Sequence, residues 1–220
     1  MGDNLIDRPA RASAKPPRRS QAERREASEA RLLLAAAELI AEEGFAAASL
    51  QRIGTRAGYS RGLASQHFGS KDGLMQALIA AVIARSTALL EARASACPDD
   101  SGPLAAILVY ADVILEQIER DPLIRAYWVM MASAIANRLP TQAVFLAEHE
   151  KVKLELTALI EAGQTAGDLD PALDPEAAAL AIGSTLLGIG IECLLDKALD
   201  LPRVRTAALA SIERSLTRPG

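Results

Sequence analysis

Helical periodicity interrupted by helix breakers dominates this chain of 220 residues. Leu33, Ala36, Ala37 and Ile40 follow the i, i+3, i+4, i+7 spacing of one helix face. Alanine and leucine, which are good helix formers, recur throughout, whereas period-two runs of Val, Ile, Thr and aromatic residues are almost absent. The sequence therefore predicts an all-α fold, and the chain is long enough to bury the core of one larger or two small domains.

Breakers divide the chain into nine predicted helices, and no internal repeat is evident. Glycines end the early helices, and Asp174 followed by proline favours a later helix start. The predicted helices span about 21–43, 50–57, 61–67, 71–96, 104–120, 122–139, 141–166, 174–197 and 202–216. The segment 1–20 is rich in proline and arginine and is predicted to be a disordered basic arm. It is either a solvated leader or a contact to the DNA backbone or minor groove.

The net charge of −4 argues against a polyanionic partner, but the charge is unevenly distributed. Residues 1–75 carry 12 lysines and arginines against 9 acidic residues, whereas the remainder carries 12 against 19. This split favours a basic end that meets a polyanion and an acidic body with another task. A small local excess of positive charge is also compatible with an ordinary solvated surface.

The residues that most often perform catalysis or bind metal are scarce. Cys97 and Cys193 lie in apolar surroundings, which predicts buried, inert thiols in a reducing cytoplasm. With only His67 and His149 as histidines, no catalytic triad or zinc site can be assembled. We therefore expect no enzyme activity, no cofactor and no metal.

Membrane or secretory targeting is also not expected. The N-terminus lacks the apolar region of a signal peptide. The longest apolar stretch without charge, 177–191, is shorter than the ~20 residues that a bilayer requires. A cytoplasmic protein with no membrane partner is the expectation.

Two short predicted helices meet at residues 58–60, with the lengths and turn of a helix-turn-helix. Gly58 permits the positive φ angle that a steep crossing requires. The second helix would place small or polar residues in a DNA major groove, namely Arg61, Gly62, Ser65 and Gln66. Phosphates could be held near helix N-termini by Ser49, Ser60 and Lys71. The alternative is a surface corner between helices that binds nothing.

The strings around this corner resemble the tetracycline-repressor (TetR) family of bacterial transcription regulators. They read EEGF at 42–45, SLQRIGTRAGYSRG at 49–62 and HFGSK at 67–71, followed by Leu74. The resemblance covers about 30–78 with the right spacing, whereas the rest matches only in general character. It implies a nine-helix architecture: a three-helix helix-turn-helix DNA-binding domain over 21–70, and a ligand-binding and dimerisation domain over 71–220.

The resemblance also implies roles for single residues. Ser49 would contact phosphate from a helix N-cap, and Arg61 and Gln66 would face bases. His67 and Lys71 would lie at the phosphate backbone.

Phe68 would anchor the recognition helix in the core, as it does in the family.

One departure from the family concerns an aromatic contact. Members usually carry a tyrosine in the two positions before the His-Phe pair, where its hydroxyl meets a phosphate. Ser65 and Gln66 stand there in this chain.

The predicted helix over 174–197 is too apolar to face solvent and contains small residues that permit close helix approach. It is either the centre of a monomeric core or half of a symmetric interface. We expect a homodimer through 174–197 and 202–216, because a dimer presents two recognition helices about 34 Å apart to a palindromic DNA site.

The resemblance implies a pocket for a small-molecule effector in the body. The candidate lining is Tyr110, Tyr127, Trp128, Met131, Phe145 and His149, although such residues are also typical of plain core. The expected function is a repressor that a small apolar ligand releases from a palindromic operator. The alternative is a helical ligand-binding or scaffold protein that has lost DNA binding.

Overall fold

The computed structural model describes residues 20–96 and 102–218, which contain nine α-helices, one 3-10 turn and no strand. The 3-10 turn spans Phe45–Ala47. The helices are α1 Gln21–Glu43, α2 Leu50–Arg56, α3 Arg61–Phe68, α4 Lys71–Ala96, α5 Gly102–Arg120, α6 Pro122–Ala136, α7 Gln142–Ala166, α8 Pro175–Leu195 and α9 Leu201–Leu216. The predicted all-α fold is confirmed, and most helix ends lie within two residues of their expected positions.

The start of α1 corrects the predicted extent of the basic arm. Ser20, which was assigned to the arm, is the N-cap of α1 in a reciprocal capping box with Glu23. The Ser20 hydroxyl accepts from the Glu23 N–H at 3.1 Å, and the Ser20 N–H donates to the Glu23 carboxylate at 2.6 Å. Residues 1–19 and Cys97 lie outside the described part of the chain.

The first three helices pack around one face of α1. Leu32, Ala36 and Ile40 of α1 are fully buried or nearly so, together with Ile53 of α2 and Ala64 of α3. We call this three-helix unit, residues 20–70, the head, and the remaining described helices the body. The division at residue 70 stays a prediction, since the core runs through both parts without a break.

Two helices connect the head to the body. α4 begins beside α3 and contacts α1, α5 and α6, as expected for the link between the two parts. α1 also packs closely along α6, a connection that the sequence patterns did not predict. In the body, α5 lies against α4, α7, α8 and α9.

Two of the described helices, α4 and α8, are long and apolar enough to cross a membrane by length and composition alone. The charge-free segment 177–191 is part of α8. The whole of α8 spans 21 residues and therefore reaches the length that the charge-free segment alone lacks. α4 buries Leu74, Leu78 and Ile79 inside the fold. α8 leaves one side uncovered, with Leu180 60% exposed and Leu195 75% exposed.

Candidate nucleic-acid interface and ligand cavity

The turn between α2 and α3 is built around two glycines. Gly58 adopts φ +76°, as the sequence predicted. The N–H of Tyr59 donates to the carbonyl of Gly54 at 2.7 Å. A Cβ on Gly54 would lie 3.0 Å from the Ser60 carbonyl oxygen, so only glycine lets the turn approach α2 this closely. Sequence reasoning missed Gly54, although a glycine inside a helical pattern is a recognised signal of close approach.

The outward side of α3 carries the residues predicted to read DNA. Arg61, Gly62 and Gln66 are exposed, and Ser65 is half-buried. Within the described residues, the side chains of Arg61 and Gln66 have no hydrogen-bond or ion-pair partner. Their donors are therefore free for base edges, which present acceptors to arginine and glutamine in the major groove.

Both predicted serine N-caps are present. The Ser49 hydroxyl accepts from the Arg52 N–H at 3.3 Å at the start of α2. The Ser60 hydroxyl accepts from the Leu63 N–H at 3.2 Å at the start of α3. Both serines are exposed, so the ends of these two short helices face solvent.

The inward side of α3 corrects the role expected for His67. Its side chain is only 5% exposed, and its Nε2 lies 2.9 Å from the hydroxyl of buried Ser28 on α1. The same hydroxyl donates to the Arg25 carbonyl at 2.8 Å, so Ser28 links His67 to the backbone of α1. Nδ1 faces Glu29 Oε2 at 3.6 Å. His67 therefore fastens α3 to α1 instead of lying at a phosphate.

Phe68 is core, as the sequence predicted, and is 9% exposed. Its ring lies beside that of His67, with 5.8 Å between the two centroids. Gly69, with φ +69°, ends the helix directly after Phe68. Two consecutive buried side chains, His67 and Phe68, therefore anchor the C-terminal end of α3.

Lys71 makes internal contacts that its predicted phosphate role did not include. Its Nζ donates to the Phe45 carbonyl at 2.8 Å and the Ala46 carbonyl at 3.3 Å, and it lies 4.0 Å from the centroid of the Phe45 ring. Partial burial lowers the pKa of this ammonium group. Lys71 therefore ties α4 to the 3-10 turn, and its contact with a phosphate stays a prediction.

The arginines of α2 are bound by glutamates of α1. Arg52 donates to Glu43 at 2.6 Å. Arg56 donates to Glu38 at 2.9 Å and to both carboxylate oxygens of Glu42 at 2.8 and 2.6 Å. The hydrogen bonds from the arginines lower the pKa of Glu42 and that of Glu43. These cations hold α2 on α1, which leaves Arg61 of α3 as the arginine that offers its donors outward from the helix-turn-helix.

The body contains a cavity of about 250 Å³ enclosed by α4, α5, α6, α7 and α8. Its apolar wall includes Val82, Ile114, Ile124, Leu156 and Leu186. Tyr110, Tyr127, Trp128 and His149 line it, in agreement with their predicted placement. α8 approaches the Trp128 indole so closely that a Cβ on Gly190 would lie 3.0 Å from Cε2.

Two predicted lining residues lie elsewhere. Met131 and Phe145 are each 3% exposed and do not contribute to the wall. Phe145 packs edge-on against Tyr127, with 5.0 Å between their ring centroids, so it supports the wall from behind. The α4 side of the wall, with Ser86 and Thr87, was missed because short polar residues in a helical pattern carry no pocket signal.

Sequence comparison identifies the head. The profile of the family described as bacterial regulatory proteins, tetR family, matches residues 32–78, which cover most of α1, all of α2 and α3, and the start of α4. The head is therefore similar to the part of TetR-family regulators that this profile describes. A curated relative, the HTH-type transcriptional regulator BetI 2 of Chromohalobacter salexigens, is 39% identical over 70 residues. This match covers 32% of the present chain and 34% of that regulator, so it spans about a third of the relative's length.

Solved structures extend the likeness to the whole TetR fold. The fatty acid degradation regulator FadR from Bacillus halodurans superposes with a TM-score of 0.72 at 18% identity, covering 87% of this chain and 97% of that one. SmeT, the repressor of the Stenotrophomonas maltophilia multidrug efflux pump SmeDEF, gives 0.66 at 23% identity over 89% and 93%. At these identities the likeness establishes the fold, and the nine-helix TetR-like architecture is confirmed.

Proposed function

We propose that the protein is a homodimeric transcriptional repressor that binds a palindromic DNA operator in the cytoplasm and leaves it when a small, largely apolar ligand enters the cavity of the body. The observation that carries the proposal is the outward side of α3. Within residues 20–96 and 102–218, Arg61 and Gln66 have no partner, while Arg52 and Arg56 of the neighbouring helix are bound by glutamates of α1. A helix that presents free arginine and glutamine donors fits a major groove.

The uncovered side of α8 supports the dimer. Its exposed residues recur at helical spacing and are mostly small or apolar: Ala177, Leu180, Ala181, Ser184, Thr185, Gly188 and Leu195. Small side chains let a second helix approach closely, and a second copy of α8 together with α9 would cover this side. A two-fold pair would present two α3 helices about 34 Å apart to the two halves of an operator.

A substitution at Gly188 tests the dimer without disturbing the protomer. A Cβ at Gly188 meets nothing within 4 Å, so Gly188→Arg is accommodated in a single chain. We expect this variant to be a folded monomer by light scattering, with Gly188→Ala as the matched dimeric control. A wild-type monomer at micromolar concentration would contradict the proposed dimer.

The links between head and body support regulation by the ligand. α4 begins at the head and lines the cavity with Val82, Ser86 and Thr87. The ligand would bind more tightly when the two heads of the dimer have a spacing that does not fit the operator. DNA affinity then falls by the difference in the ligand's binding free energy between the two spacings.

DNA binding is tested by selecting duplexes from a randomised palindromic pool and measuring their affinity by fluorescence anisotropy at several salt concentrations. We expect tight binding with a steep salt dependence, because phosphate contacts release counterions. Arg61→Ala should lose most of the sequence preference. Arg125→Ala, which removes the same charge from an exposed position on α6, is the control. No duplex selected even at low salt would contradict the proposal and leave a ligand-binding protein without DNA.

A further inference from the structure

The α7 side of the cavity contains several charged side chains, and most of them are paired with each other. Lys153 donates to Glu176 at 2.9 Å and lies 2.9 Å from Glu150. Lys151 lies 3.9 Å from Glu155. Each of these two ammonium groups and three carboxylates therefore has a partner of opposite sign. Glu148 lines the same wall, is half-buried, and has no ion pair or hydrogen bond within the described residues.

Two tyrosine hydroxyls share the wall with Glu148. Tyr110 and Tyr127 line the cavity, and within residues 20–96 and 102–218 neither hydroxyl has a hydrogen-bond partner. Burial is the largest cause of the raised pKa of both tyrosines. The charges of Tyr127, Glu155 and, least, Glu148 raise the pKa of Tyr110 further, and the charge of Glu148 raises that of Tyr127. Nε1 of Trp128, which also lines the cavity, is buried and has no hydrogen-bond partner within the described residues. Buried polar groups that lack a protein partner are normally satisfied by water or a ligand.

Aromatic rings of α6 also line the cavity. Trp128 and Tyr127 meet edge to face, with 5.7 Å between centroids, and both line the cavity. Aromatic faces attract cations through their quadrupole, and an ionised carboxylate only accepts hydrogen bonds. An anionic ligand would meet Glu148 with like charge and would leave its oxygens without a donor.

We propose that the cavity takes a small amphipathic cation, whose positively charged nitrogen lies at Glu148 and the two tyrosines and whose apolar part packs against Trp128 and Leu186. This inference names the chemical class of the effector. It rests on the proposed function, in which a ligand of this cavity controls DNA binding. The cavity volume of about 250 Å³ suits a ligand of one ring with a compact cationic group.

Three probes of equal shape and different charge test this assignment. Phenyltrimethylammonium, tert-butylbenzene and benzenesulfonate share a phenyl ring and a compact substituent, and carry one positive charge, no charge and one negative charge. Binding can be followed by the fluorescence of Trp128, which is the single tryptophan of the chain and lies in the wall. We expect the cation to bind at least about tenfold more tightly than the neutral probe, and the anion to bind least.

A charge-neutral variant isolates the carboxylate. Glu148→Gln keeps the shape and should weaken binding of the cation about tenfold while leaving the neutral probe unchanged. Glu161→Gln is the matched control, because Glu161 is exposed on the same helix and does not line the cavity. An unchanged thermal midpoint in both variants shows that any loss is one of binding.

Each outcome decides the assignment. Equal or tighter binding of the neutral or anionic probe would overturn it, and so would an absence of cation binding at millimolar concentration. The experiment uses the full chain without DNA, so its failure is separate from failure of the proposed function. A chain that binds the cation but no operator would contradict only the proposed function, and one that binds operator but prefers benzenesulfonate would contradict only this inference.

Discussion

The consecutive helices α2 and α3 use their cations in opposite ways. Arg52 and Arg56 of α2 are bound by three glutamates of α1, whereas Arg61 of α3 is exposed and has no partner within the described residues. Both helices belong to one helix-turn-helix, so position in the motif does not decide the role of a charge. What decides it is whether the chain supplies its own counter-charge. The predictions below separate residues that hold the head together from those that face outward.

The largest effect is expected at the junction of α3 and α4. A Cβ on Gly73 would lie 2.1 Å from the Phe68 carbonyl oxygen, which is backbone and cannot rotate away. Gly73→Ala should therefore lower the free energy of unfolding by about 2 kcal/mol or more. Chemical denaturation measures this loss.

Gly62 provides the contrast to Gly73. It is exposed on α3, and a Cβ there meets only the Ser60 hydroxyl at 3.6 Å. Gly62→Ala should keep or slightly raise stability, because alanine favours a helix by about 1 kcal/mol over glycine. Its DNA affinity should fall, because the added methyl lies on the outward side. A stability loss as large as that of Gly73→Ala would contradict the placement of Gly62 on the exposed surface of α3.

The next effect concerns the buried bridge from α3 to α1. His67→Ala should cost about 1–2 kcal/mol of stability, because it removes the hydrogen bond to Ser28 and leaves a gap beside Phe68. DNA affinity, measured well below the thermal midpoint, should change much less than in Arg61→Ala. A large affinity loss at unchanged stability would instead support the phosphate contact that the family resemblance implies.

The smallest effect is expected in the acid range. The folded-state pKa of Glu42 and that of Glu43 are lowered from 4.5 by hydrogen bonds from Arg56 and Arg52. The stability that the ionised Glu42 and Glu43 give to the folded state is therefore present above about pH 4.5 and is lost as the pH falls below it. The gap in thermal midpoint between wild type and Arg56→Ala should close as the pH is lowered through this range. Because all these groups are solvent-exposed, the gap at neutral pH should be small. A gap that widens on acidification would contradict this account.

Sequence patterns predicted the head better than the body. Gly58, Ser60 and Gly69 occupy the roles that local turn and cap chemistry assigned to them, and Phe68 occupies the core position that the family resemblance implied. These roles depend on backbone conformation over a few residues, which sequence reports directly. The ion pairs between α1 and α2 were not predicted, because they join Glu38, Glu42 and Glu43 to arginines of a different helix.

The remaining features depend on contacts between distant segments. The burial of His67 requires Ser28, which lies 39 residues away. The separation of Trp128, which lines the cavity, from Met131, which does not, depends on how α6 is rotated against α7 and α8. Hydrophobic periodicity marks both residues as inward-facing and does not distinguish a cavity wall from a filled core.

The most direct test of the account compares Arg61→Ala with Arg56→Ala, measuring operator affinity and the free energy of unfolding for each. Arg61→Ala should lower affinity about 100-fold with stability unchanged, because two base-reading arginines are lost per dimer. Arg56→Ala should lower stability and change affinity less than threefold, as its donors are already bound by Glu38 and Glu42. If the two variants lose affinity equally, or if Arg61→Ala is the one that destabilises the fold, the division of roles between α2 and α3 is wrong.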